Sequence, residues 1–282
     1  MKIVYLGPEG TFTESALKKY IEISEQDAEL TPINSLPALF EHLDQKGNHH
    51  GFIPLENSIE GPVNMSMDLL IDYDNLYISG EIDLPIELCL LSEENSDTSK
   101  LTDIISKPIA IAQCQKYLHT HYPNATIHHA SSTAASIDLM KTLKKQATTA
   151  TFGIIGQRNL ITHYNLNMIQ ENIQDYPNNT TRFGLLSAKY PPPSGNDKTA
   201  IVFSSQKDKP GSLHTVLEEF SKRQINLTKI NSRPTKSQLG EYLFYIDFEG
   251  HCEESSIKEA LKHIQEKSSY YKLLGSYRKT ML

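Results

Sequence analysis

The chain has 282 residues, 38% hydrophobic and 22% charged, with 14 glycines and 14 prolines; this excludes a collagenous, disordered or membrane-embedded protein and sets about two domains as the expectation. Its 27 Lys and Arg stand against 34 Asp and Glu, a formal charge of -7, and without a dense basic run such a chain repels phosphate backbones, so no nucleic-acid partner is expected. The apolar run ahead of Gly7-Pro8 is only the four residues Ile3 to Leu6, too short for a signal-peptide core, and no stretch is long enough to span a bilayer; a cytoplasmic address with no membrane partner is expected. Cys89, Cys114 and Cys252 are odd in number and widely spaced, as reduced core thiols are.

In chain order, residues 2–6 read as a strand that runs into Gly7-Pro8-Glu9-Gly10-Thr11-Phe12-Thr13-Glu14, where two glycines permit a tight turn and Thr13 is placed to cap the next helix. A helix over 36–43 follows the cap candidate Ser35. Strand 51–54 leads into Leu55-Glu56-Asn57-Ser58-Ile59-Glu60-Gly61-Pro62, which offers a carboxylate, an amide and a hydroxyl where the chain must turn into a helix over 63–70. By residue type alone this segment fits capping and turn chemistry equally well. Strands over 76–82 and 103–106 come next, and Ser106-Lys107-Pro108 opens a single helix over 109–122 that holds Gln113. Strand 126–129, a helix over 134–143 capped from Ser131-Ser132-Thr133, and strand 153–155 precede the Asn-rich turn Asn178-Asn179 and a strand over 183–188. Alternation sets Thr181 and Phe183 on one face and Arg182 on the other, so Arg182 faces a ligand only where the strand is irregular; a β-branched Thr at a strand start is the competing reading. Short strands alternating with helices specify α/β lobes with crossover helices, and a cleft between two lobes suits a small ligand.

The run Tyr190-Pro191-Pro192-Pro193-Ser194-Gly195-Asn196-Asp197 marks a domain boundary, because three prolines continue neither a helix nor a central strand. Beyond it come a strand over 198–204, a helix opened by Pro210-Gly211, a strand over 225–233, turn residues around 237–240, a strand over 242–248, a helix over 253–267 and a strand over 272–277. This is the ferredoxin-like βαββαβ order, an antiparallel sheet with two helices on one face. The pairs His49-His50, His119 and His121, and His128-His129 lack metal-helix spacing and no Cys-x-x-Cys exists, so no metal site is expected. No P-loop, G-x-G-x-x-G or G-x-S-x-G occurs, which argues against nucleotide cofactors and serine hydrolases.

Taken together, Gly7-Pro8-Glu9-Gly10-Thr11-Phe12, Ile53-Pro54-Leu55-Glu56-Asn57-Ser58 and Thr181-Arg182-Phe183 resemble, in order and spacing, the motifs of the prephenate dehydratase family. Lys209-Pro210-Gly211-Ser212-Leu213-His214 and Asn231-Ser232-Arg233-Pro234 are similar to the Gly-Ala-Leu and Glu-Ser-Arg-Pro segments of that family's regulatory ACT domain. The resemblance covers nearly the whole chain. It implies a catalytic domain over 1–190 with two lobes, 1–78 with 179–190 and 79–178, like a type II periplasmic-binding protein, then a linker over 191–197 and an ACT domain over 198–282. It also implies the conversion of prephenate to phenylpyruvate, carbon dioxide and water in phenylalanine biosynthesis, with no metal or cofactor, by a cytoplasmic homodimer or homotetramer regulated by phenylalanine.

By analogy with the family, Thr181 donates to the leaving hydroxyl, while Glu56, Asn57, Ser106 and Gln113 orient that network and the substrate. Thr11 and Ser58 are implied as substrate contacts, Phe183 as a wall for the ring, and Arg182 as the countercharge of a carboxylate. Backbone amides after Leu6 are expected to receive a carboxylate too. Phenylalanine is expected between Gly211, Ser212 and Leu213 of one subunit and Asn231, Ser232, Arg233 and Pro234 of another. The sequence departs from the family pattern at Lys107, where His is common, at Ser212 in place of Ala and at Asn231 in place of Glu. A first strand at Lys2 leaves no chorismate mutase segment ahead of it, so a monofunctional enzyme is expected. Two readings stay open beside this one: an arogenate dehydratase, and a non-catalytic amino-acid sensor of the same architecture.

Overall fold

The computed structural model describes residues 1–93, 101–146, 150–205, 210–235 and 241–279. The chain opens with β1 (Lys2–Leu6), α1 (Phe12–Ser24), β2 (Glu29–Ile33), α2 (Leu36–Gln45), β3 (His50–Asn57), β4 (Gly61–Pro62), α3 (Asn64–Asp72) and β5 (Tyr77–Pro85). β1 pairs in parallel with both β2 and β3, which needs the crossovers that α1 and α2 supply. The α1 cap is Thr11, whose hydroxyl accepts from Glu14 N, and not the expected Thr13. Thr13 is instead a buried residue of the first turn.

The second lobe runs through β6 (Cys89–Glu93), β7 (Asp103–Ser106), α4 (Pro108–Ala112), α5 (Gln115–His121), β8 (Thr126–His129), α6 (Thr133–Gln146), β9 (Phe152–Gly156), α7 (Leu160–Tyr164) and β10 (Leu166–Gln170). The expected single helix over 109–122 is broken at Gln113-Cys114. Asp175 makes the break, since its carboxylate accepts from Lys116 N at the start of α5 and its own N–H donates to Gln113 O. The chain then returns to the first lobe as β11 (Thr180–Ser187), antiparallel to both β3 and β5. The two lobes share one design: β2-β1-β3-β11-β5 in the first and β8-β7-β9-β6-β10 in the second. In each, three parallel strands are followed by an antiparallel strand that has just arrived from the other lobe. Because β5 belongs to the first sheet, the lobe division falls after Pro85 rather than at residue 78.

The C-terminal unit is β12 (Asp197–Ser205), α8 (Ser212–Lys222), β13 (Leu227–Pro234), β14 (Tyr242–Glu249), α9 (Ser255–Glu266) and β15 (Ser268–Arg278), with strand order β13-β14-β12-β15. That is the expected βαββαβ fold. Glu219 joins its two helices by taking hydrogen bonds from Lys267, Arg223 and His263, and these overcome burial to hold its carboxyl down to about 2. Lys209 and the expected turn at 237–240 lie outside the described residues. Among the described residues no helix is long and apolar enough to cross a membrane, and all three cysteines are buried and free.

The proline-rich boundary is not a free tether. Asp197 accepts from the Ser194 hydroxyl and from the amides of Ser194 and Gly195, and Tyr190 packs on the C-terminal core. Two further joins follow. β15 pairs with β5 at Gly275 and Ile78, so the C-terminal sheet continues the sheet of the first lobe. A Cβ at Gly275 would lie 2.1 Å from Ile78 O, which is why only glycine fits there. The sheet face turned away from α8 and α9 contributes Ala200, Val202, Tyr245 and Leu274 to one core with Met67, Leu70 and Ile78 of the first lobe.

Candidate active site

The antiparallel register of β3 and β11 sets Asn57 directly opposite Thr181, and cross-strand neighbours on one face touch. Asn57 Nδ2 lies 2.9 Å from Thr181 Oγ1 and 2.7 Å from Asn179 Oδ1. Its carbonyl end is fixed by two backbone amides, Ile59 N at 2.9 Å and Glu60 N at 3.0 Å. The turn after β3 therefore decides which end of the amide meets Thr181. Since Asn57 donates, Thr181 Oγ1 is an acceptor there, and its single proton is given to no group among the described residues.

The network continues into the second lobe. Asn179, 1% exposed, donates from Nδ2 to Gln113 Oε1 at 2.9 Å, and Gln113 Nε2 lies 3.4 Å from Glu60 Oε1. Gln113 reaches this position because the helix breaks at it; inside an unbroken helix its side chain would be set by the helical repeat alone. Of the expected site residues, the structure thus brings together Thr181, Asn57 and Gln113. It adds Asn179 and Glu60, which the sequence reading left as turn residues.

Other expected residues stand elsewhere. Ser106 is buried, and its hydroxyl donates to Ile155 O at 2.7 Å within the second lobe. Ser58 braces the entry to β11, donating to Asn178 O and accepting from Thr180 N. Phe183 is a core residue stacked on Phe52 at 5.8 Å, not a wall of the cleft. Thr11 is a cap, and the loop before it is occupied: Gly7 N donates to Ile33 O, Gly10 N to the Glu14 carboxylate, and Gly10 O accepts from Gln157 of the second lobe. The Gly7 and Gly10 amides are therefore unavailable to a substrate carboxylate.

Arg182 and Glu56 form a second site on the opposite face of the same strands. β11 is irregular at Arg182/Phe183, yet Arg182 remains level with Glu56 on β3 and Asp83 on β5. Its Nε lies 3.1 Å from Asp83 and 3.5 Å from Glu81, and its Nη1 is 3.8 Å from Glu56. Burial works against the guanidinium charge, but Glu81 and Asp83 outweigh it and hold the pKa of Arg182 above the ordinary arginine range. Two lysines of the C-terminal unit close the cluster, Lys198 on Glu81 at 2.6 Å and Lys229 on Glu56 at 3.0 Å. Both residues expected at the substrate are thus spent joining the first lobe to the C-terminal unit.

The segments around Gly211 and Asn231 are also constrained. Gly211 caps α8 with a φ of 87°, in the left-handed region, and Leu213 packs into the C-terminal core. Asn231, Ser232, Arg233 and Pro234 lie on β13, the outer strand of the sheet. Arg233 points back into its own chain, donating to Asn64 O at 2.7 Å and pairing with Asp68 at 2.9 Å on α3. It is a domain clasp here.

The family model for prephenate dehydratase matches residues 3–191, and that for the ACT domain matches residues 199–264. The chain is 39% identical over 98% of its length to the prephenate dehydratase of Methanocaldococcus jannaschii, covering 97% of it. It is 36% identical to that of Bacillus subtilis with both chains fully covered. Its fold matches the crystal structure of prephenate dehydratase in complex with L-Phe from Arthrobacter aurescens with a TM-score of 0.86 at 33% identity, over 99% of this chain and 90% of the other. The chain belongs to the prephenate dehydratase family, with an ACT domain at its C-terminal end.

Proposed function

We propose that the interlobe network built on Asn57, Thr181, Asn179 and Gln113 is the dehydratase active site, and that Thr181 donates its hydroxyl proton to the departing hydroxide of prephenate. The observation that carries this reading is the polarity of the Asn57 to Thr181 hydrogen bond, which leaves Thr181 a donor with its proton uncommitted. Prephenate loses carbon dioxide and hydroxide to become aromatic, so the reaction is downhill once the leaving oxygen is stabilised. The protein must supply a hydrogen bond to that oxygen and hold both carboxylates in place, effects worth on the order of several kcal/mol together. Neither task calls for redox chemistry. Buried free thiols fit a reducing, cytoplasmic compartment. Incubating the purified protein with prephenate and, separately, with its aminated analogue arogenate tests the reading: phenylpyruvate formation at the higher kcat/KM supports it, and turnover of neither compound refutes it.

With Arg182 committed to carboxylates, the countercharge for a dianionic substrate falls to Lys107. It follows Ser106 at the end of β7 and stands at the start of α4, the helix that ends at Gln113. Burial lowers its pKa, and among the described residues no carboxylate shares its charge. Replacing Lys107 by Met is expected to raise the KM for prephenate about tenfold while kcat changes little. In the wild type, KM rises with pH once the ammonium loses its proton, and because that pKa is depressed the rise begins below the ordinary lysine range. A pH series of KM for both proteins checks this; a Lys107→Met variant with the wild-type profile removes Lys107 from the site.

Phenylalanine regulation belongs to the same reading. The ACT match and the L-Phe complex of the Arthrobacter aurescens relative support it, with Gly211 to Leu213 and Asn231 to Pro234 as the contacting segments. A site shared between copies requires a homodimer or homotetramer, and the outer position of β13 leaves those residues at a sheet edge. Arg233 then contributes through its clasp on Asp68 and not as a ligand contact.

A further inference from the structure

Asn179 occupies a place that none of the motifs marks. It stands just ahead of β11, where the chain re-enters the first lobe, and its carbonyl accepts from Ile86 N at 2.8 Å, on the other crossover. Both covalent connections between the lobes run side by side at this residue. Its side chain, 1% exposed, spans the same gap: Oδ1 accepts from Asn57 of the first lobe at 2.7 Å, and Nδ2 donates to Gln113 of the second at 2.9 Å. The direction of each bond is set from one end. Asn57 is anchored by two backbone amides and offers N–H, so Asn179 presents its oxygen there and its nitrogen to Gln113. A reversed Gln113 would turn its own oxygen toward Glu60 Oε1, now 3.4 Å from Nε2, and two oxygens repel.

We propose that Asn179 is a positioning residue that locks Gln113 of the second lobe to Asn57 of the first, so that closing the cleft brings Gln113 into register with the Asn57 and Thr181 pair. A buried amide that takes its direction from Asn57 and passes it to Gln113 couples the two lobes, since opening them breaks the Asn179 to Gln113 bond by which Gln113 is held in register with Asn57. The inference rests on the dehydratase reading, and the wild type separates the two. A wild type without dehydratase activity removes both, whereas an active wild type with unaffected variants removes this inference alone.

The test uses the full chain, steady-state kinetics with prephenate across about pH 5 to 9, and thermal unfolding as a check on folding. Asn179→Ala is expected to lower kcat about 10- to 100-fold with KM held within about threefold. Asn179→Asp is the decisive variant because it keeps the shape. Its ionised carboxylate still accepts from Asn57 but sets an oxygen against Gln113 Oε1, whereas the protonated form donates to Gln113 as the amide does. Burial raises the pKa of such a carboxyl, so the variant's kcat relative to wild type should rise as pH falls through that raised pKa. A merely structural role predicts no such limb. A flat ratio across the pH range, or a loss confined to KM, overturns the proposal; should Asn179→Ala fail to fold, the Asp variant alone decides it.

Discussion

Replacing Thr181 by Val lowers kcat for prephenate about 100- to 1,000-fold and leaves KM within about threefold, because one methyl replaces one hydroxyl and only the donor to the leaving group is lost. Thr181→Ser, which keeps the hydroxyl, retains most of the activity. The contrast matters more than either number. Asn57 Nδ2 loses one acceptor in the Val variant but keeps Asn179 Oδ1 at 2.7 Å and the Thr180 carbonyl nearby, so the turn that holds it stays satisfied and the fold is preserved. A folded Thr181→Val protein with near-wild-type kcat would end the assignment. Loss of kcat in Val and recovery in Ser, measured by phenylpyruvate formation, would establish it.

Arg182 gives the second large effect, on stability rather than catalysis. In Arg182→Leu the carboxylates of Glu81, Asp83 and Glu56 lose the cation they share, while Lys198 and the Tyr277 hydroxyl stay on Glu81 and Lys229 on Glu56. Removing one partner of a buried ionic cluster costs about 3–5 kcal/mol, and partial solvent screening at this site brings that to about 2–3 kcal/mol. The unfolding midpoint should fall by roughly 5–10 °C. Adding Asp83→Asn to the variant removes surplus negative charge and recovers part of the loss. The KM for prephenate should stay within about threefold of wild type at a temperature where both are folded. An unchanged midpoint with a large rise in KM would return Arg182 to the substrate.

Much of the fold was legible where a strand or helix carried its own period. The parallel strands β1, β3, β7 and β9, and the whole C-terminal βαββαβ order, stand close to their expected places. Four strands escaped notice: β4 is a two-residue pairing with no pattern of its own, and β2, β6 and β10 were hidden for two reasons. β2 and β10 are sheet edges with mixed burial, so neither alternation nor an apolar run marks them. β6 follows β5 with only Pro85 as punctuation, so the mostly apolar stretch from Ile82 to Leu91, broken only by Asp83, Pro85 and Glu87, conceals the point where the chain changes sheets. Edge position and sheet exchange are tertiary properties, absent from local pattern.

The site divides along the same line. Motif likeness picked out Thr181, Asn57 and Gln113, which the structure brings together, along with Glu56 and with Arg182 where the strand turns it inward; the structure sets these last two in an ion cluster on the opposite face. The alternation of Thr181 with Arg182 was visible in the sequence and matches the opposite faces on which the structure places them. Asn179 was invisible because Asn before a strand is ordinary turn chemistry, and only the approach of Gln113 from residues far along the chain gives it a partner.

The join between β15 and β5 bears on what the first lobe loses without the C-terminal unit. A protein cut ahead of β12 would leave β5 as an open sheet edge and bare the Met67, Leu70 and Ile78 surface that Ala200, Val202 and Leu274 now cover. An uncovered edge beside an apolar patch is a template for a second chain, and such proteins aggregate. The C-terminal unit therefore shields the first lobe against self-association as well as matching the ACT family, and under the proposed phenylalanine reading deregulation is expected from substitution within α8 or β13 and not from deletion.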